Sequence, residues 1–86
     1  MKTNDLKKGD WVLLRNGWKA EMWDNKKGNT RVANVHGMFT EAGSIYMHDV
    51  VARQIGENNK GVEVWVEDIE LTPAQLKTKS QLEAMW

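Results

Sequence analysis

The 86-residue chain has no cysteine, one proline and no long apolar run. Without cysteine there is neither a disulfide framework nor a thiolate zinc site, so packing and polar satisfaction alone must hold the fold, which suits a reducing compartment. The longest wholly apolar run, Trp11-Val12-Leu13-Leu14, is too short for a signal-peptide core or a membrane span. The expectation is a cytoplasmic chain with no membrane partner.

Catalytic machinery is scarce as well. The only serines are Ser44 and Ser80, and neither sits in an elbow-like context. His36 and His48, with Glu41 and Asp49 nearby, lack the spacing that sets two ligands on one helix face, and a metal site normally takes three or four. No Walker-type or dinucleotide glycine pattern is present. These absences imply no cofactor and no metal, and a chain that binds rather than catalyses. A small-molecule enzyme is the third reading, for which no catalytic set can be named.

What is present points to a mainly β domain. Trp11 to Leu14 reads as a first strand, and Asn16-Gly17 as the hairpin turn that returns the chain from Trp18 to Asp24. Turn chemistry at residues 25–29 precedes a third strand over Thr30 to Val35. A fourth is expected from Ser44 to Met47, continuing after a bend at His48-Asp49 into Val50-Val51-Ala52. Val62 to Glu67 alternates apolar and polar residues cleanly and is expected to turn its valines to the core. Thr72-Pro73-Ala74-Gln75 matches a capping box with proline at the first helical position, so a helix should run from there toward Trp86. One domain is expected, with a barrel over residues 1–71 and the helix over 72–86.

Leu6-Lys7-Lys8-Gly9-Asp10-Trp11-Val12-Leu13-Leu14, then Asn16-Gly17, Ala20 and Met22, resembles the opening of Src-homology-3-like barrels of the KOW type. The resemblance covers roughly residues 6–35 and implies a small five-stranded β-barrel that binds nucleic acid. Residues 24–31 and 43–49 are also similar to short bacteriophage-encoded proteins of unassigned activity. The KOW pattern favours a turn one residue longer than a strict two-residue hairpin, which aligns Val12 and Leu14 with Ala20 and Met22. The inner face would hold these four with Val62, Val64 and Val66. The outer face would hold Trp11, Leu13, Trp23 and Trp65 among Lys19, Glu21, Glu63 and Glu67.

Two binding surfaces follow. The outward tryptophans Trp11, Trp23 and Trp65, with Trp86 of the tail, could form an aromatic face for a protein partner, with the strand edge beside it as a second point of docking. The competing reading lays the C-terminal helix, with Leu82, Met85 and Trp86, across that face as a second small core. The other surface is the basic loop Lys26, Lys27 and Arg31, where a phosphate backbone could be held. Formal net charge is zero, but residues 1–31 carry eight Lys/Arg against four Asp/Glu and residues 32–86 the reverse, so a dipolar surface is possible. A protein partner leads, nucleic acid follows, and the chain is expected to be a monomer or weak homodimer.

Overall fold

A computed structural model describes residues 1–24 and 27–85. Six strands form one antiparallel sheet: β1 (Trp11–Leu14), β2 (Lys19–Met22), β3 (Thr30–His36), β4 (Thr40–Tyr46), β5 (Val50–Glu57) and β6 (Glu63–Val66), in the spatial order β4-β3-β2-β1-β5-β6. The fold is mainly β, as expected, but with six strands and not five, and the sheet is open. β4 and β6 are its two edges.

The sixth strand comes from the division of the expected fourth strand in two. Thr40 to Gly43 belongs to β4, and the expected continuation past His48 is interrupted by a 3-10 turn at Met47–Asp49 that delivers the chain into β5 as a separate strand. Asn29 fixes that turn from across the fold. Its carbonyl accepts from the Met47 amide at 2.7 Å, its side-chain oxygen from the His48 amide at 3.2 Å, and its side-chain amide donates to His48 Nδ1 at 2.8 Å.

The first hairpin has the longer turn. Val12 pairs with Ala20, and the Leu14 amide donates to the Trp18 carbonyl at 2.8 Å around Arg15-Asn16-Gly17, with Gly17 at φ 89°. A three-residue loop ending in a left-handed glycine is one of the common hairpin closures. This register puts Val12, Leu14, Ala20 and Met22 on one face, where they pack with Leu6, Ala33, Ile45, Met47 and Val50. The valines expected on that face do not join them: Val62, just before β6, is 57% exposed, and Val64 and Val66 of β6 are only half-buried. β6 pairs with β5 alone, beyond the strands that carry the core.

The helix α1 (Pro73–Ala84) starts at the expected capping box, with the Thr72 hydroxyl accepting from the Gln75 amide and the Gln75 side chain accepting from the Thr72 amide. It packs against the 3-10 turn Met47–Asp49, and buried Gln75 anchors it. Gln75 Oε1 accepts from the Thr3 hydroxyl at 3.0 Å, and Nε2 donates to the Gly28 carbonyl at 3.2 Å. Residues at each end of the chain also pair: Lys2 and Glu70 form a parallel bridge, and the Met1 ammonium donates to the Asp68 carbonyl.

Candidate functional site

The outer face is occupied by the chain itself. Trp11 and Trp65 are half-buried, and Trp11 lies against His36 with ring centroids 4.7 Å apart. A bulge at Ile55 of β5, with Gly56 at φ 130°, bends the β5–β6 hairpin so that Glu63 and Trp65 meet Lys19 of β2. Lys19 Nζ is 2.6 Å from Glu63 Oε2 and 5.8 Å from the centre of the Trp65 ring. The Lys19 hydrogen bond holds the Glu63 carboxyl below its ordinary range. The helix α1 is anchored elsewhere, at Thr3, Gly28 and the 3-10 turn. Trp23 stands apart, half exposed just beyond β2, and Trp86 lies outside the described residues.

The basic loop is dispersed too. Lys26 lies outside the described residues, and Lys27 is exposed. Arg31 is only 1% exposed. Its Nη1 donates to the Thr3 carbonyl at 2.7 Å, its Nη2 to Asn4 Oδ1 at 3.0 Å and its Nε to the Gly28 carbonyl at 3.0 Å. Burial lowers its pKa, partly offset by Asp24. Arg31 therefore points into the fold and not out from the loop: its planar guanidinium, a fork of donors, is met by the Thr3 and Gly28 carbonyls and the Asn4 side-chain oxygen.

A different surface emerges at the other end of the sheet. A groove of about 510 Å³ runs between β4 and the β1–β2 turn, floored by Leu14, Val35 and Ile45 and walled by Trp18, Phe39 and Tyr46. Phe39, at the β3–β4 turn, is 76% exposed, and its neighbour Met38 is more so. Trp18 is held at its backbone by Asn16, whose side-chain oxygen accepts from the Trp18 amide at 3.0 Å, and its ring lies over Gly37. The Tyr46 ring stacks on buried His48 at 5.3 Å. Arg15 and Asp49 close the rim with an ion pair of 2.6 Å, and Glu41 adds a single carboxylate.

No protein-family model, no curated protein and no solved structure matches this chain. The site is therefore read from its own geometry. Its chemistry is apolar contact with a few polar rim groups, which suits binding. Among the described residues no group of three or more His, Asp or Glu is placed to hold a metal ion, and no helix is long and apolar enough to cross a membrane.

Sequence reasoning missed this groove because Leu14, Trp18, Val35, Phe39 and Tyr46 come from four separate segments. One local signal was available: Met38-Phe39, an apolar pair directly after Gly37 in a turn. Apolar residues at a hairpin tip have no core to enter, so their presence marks a surface.

Proposed function

We propose that this protein is a small, non-catalytic binding module that docks on another protein through the groove between β4 and the β1–β2 turn. The observation that carries this reading is the convergence of three exposed aromatic residues, Trp18, Phe39 and Tyr46, on one apolar trough with a mixed-charge rim. Aromatic anchors in a concave apolar site, ringed by polar groups, are the usual composition of an energetic centre in protein recognition. The groove replaces the Trp11–Trp65 face as the docking surface, since those rings are engaged within the chain.

A KOW-type nucleic-acid module is not favoured by any comparable feature. With Arg31 committed to interior carbonyls, Lys27 is the exposed cation that the described part of the loop offers. A single lysine gives little of the multi-phosphate neutralisation on which such binding depends.

The test is affinity capture from cell lysate, with and without nuclease, using the wild-type chain, Phe39→Asp and Lys27→Glu. The proposal expects a protein that survives nuclease, is retained by Lys27→Glu and is lost by Phe39→Asp. Capture that disappears with nuclease or with Lys27→Glu would overturn it in favour of nucleic acid.

A further inference from the structure

We infer that the free edge of β4 pairs with β4 of a second copy, giving a two-fold dimer with one continuous sheet. The sheet order leaves β4 bonded on one side only, to β3, over its whole length from Thr40 to Tyr46. The Met47 amide donates to the Asn29 carbonyl, and the Trp23 amide to the Val32 carbonyl. Because bonded and non-bonded pairs alternate in an antiparallel ladder, these two bonds fix the phase: Glu41, Gly43 and Ile45 bond to β3, while Thr40, Ala42, Ser44 and Tyr46 turn their amides and carbonyls outward.

That outward row is self-complementary. In an antiparallel pair of β4 strands centred on Gly43, Thr40 falls opposite Tyr46 and Ala42 opposite Ser44, so every outward amide and carbonyl of the strand finds a partner. Centring the pair on Ala42 or Ser44 leaves an end unpaired. At the two-fold axis Gly43 meets Gly43 in a non-hydrogen-bonded pair, the closest approach in a ladder, and there is no side chain to collide. A Cβ built on Gly43 meets nothing within 4 Å inside the chain, so its own fold does not require the glycine.

The charges agree with a second copy as the occupant. β4 carries one charge, Glu41, and this register sets it opposite Ile45 and not against its own copy. The chain's formal net charge of zero adds no overall repulsion. Exposed strand edges are ordinarily guarded by charged side chains, lysine above all, or by proline, bulges or shortness. β4 has only Glu41 of these: seven residues, no lysine, no proline and an unbroken register with β3. The opposite edge is guarded, since β6 is four residues long, bears Glu63 with Glu67 just beyond it, and sits against a bulged β5. The same pairing brings Phe39 of one copy opposite Met47 of the other, beside Ile45 and Tyr46. Each groove would then be walled by both copies, with the two grooves on one face of the joined sheet.

The experiment is sedimentation equilibrium of the full chain over a wide concentration range, with Ala42→Pro and Ser44→Lys as variants. Proline at Ala42 removes an outward amide without touching a bond to β3, and an outward edge position is one at which a strand tolerates proline. Lysine at Ser44 stands at the edge as a natural guard. The wild type is expected to approach twice its 9.9 kDa mass with rising concentration, and both variants to stay at the single-chain mass with wild-type circular dichroism. A wild type that remains at the single-chain mass throughout overturns the inference, as does a dimer that persists in a folded Ser44→Lys variant. Lysate capture that is lost with Phe39→Asp while the wild type stays monomeric would overturn the dimer and leave the groove reading standing.

Discussion

Gln75 and Thr3, separated by 72 residues, share a hydrogen bond of 3.0 Å in the interior. The same Gln75 side chain caps α1 and reaches the Gly28 carbonyl, so one amide ties the helix to the start of the chain and to the β2–β3 loop. Gln75→Ala would leave the buried Thr3 hydroxyl without its acceptor and the Gly28 carbonyl with Arg31 Nε alone. The expected loss is about 1–3 kcal/mol in a denaturant titration. Truncation after Leu71 should destabilise in the same sense, yet leave the emission of Trp11 and Trp65 unshifted, because Trp11 lies against His36 and Trp65 beside Lys19 while α1 is anchored elsewhere, at Thr3 and Gly28.

Gly37 and Gly43 should respond differently to alanine. A Cβ at Gly37 would lie 2.6 to 2.8 Å from the Trp18 ring, closer than any real contact, whereas at Gly43 the space is open. Trp18 is a surface side chain, so its ring swings away and stability changes little. The readout is fluorescence: Gly37→Ala should shift tryptophan emission to the red and weaken capture at the groove, and Gly43→Ala should leave the emission unchanged.

Arg31 and Lys27 separate interior from surface within one basic stretch. Arg31→Met leaves the Thr3 and Gly28 carbonyls without their guanidinium donors, and a loss of at least about 2 kcal/mol is expected in urea unfolding. Lys27→Glu should stay within about 0.5 kcal/mol of wild type.

Arg53 and Asp68 form a two-bond pair, with Nε to Oδ1 and Nη2 to Oδ2 both at 2.8 Å. The hydrogen bond from Arg53, with its charge and that of the N-terminal ammonium, holds the Asp68 carboxyl below its ordinary range, and Glu63 is lowered in the same sense by Lys19. A depressed carboxyl stabilises the fold above its unfolded-state pKa of about 4, and that contribution is lost as pH falls through the lower folded-state value. Melting temperature should therefore fall on acidification below about pH 4. Asp68→Asn should have a lower melting temperature at neutral pH and a flatter acid limb.

Much of the fold was legible because local and global demands agree. Val12, Leu14, Ala20 and Met22 alternate with polar or outward residues, and the extra turn residue before Trp18 sets them on one face. Thr72-Pro73-Ala74-Gln75 carries its cap within four residues. Elsewhere the decisive contacts are distant. Thr40 to Ser44 contains Ala42 and Gly43 in place of β-branched or aromatic residues, so the strand exists by pairing with β3 and not by propensity. Arg31 and Gln75 belong to residue types that normally stay in water, and only the partners folded around them reveal their burial. Val62 alternates correctly, but alternation names two faces without saying whether either is covered.

The open edge of β4 is the feature on which the dimer stands, and residue-resolved amide hydrogen exchange measures it directly. In dilute solution the amides of Gly43 and Ile45 should exchange slowly, being bonded to β3, and those of Ala42 and Ser44 quickly. Raising the concentration should slow Ala42 and Ser44 while leaving Gly43 and Ile45 as they were. Equal protection of all four in dilute solution, or fast exchange at Ala42 and Ser44 at every concentration, would contradict the account.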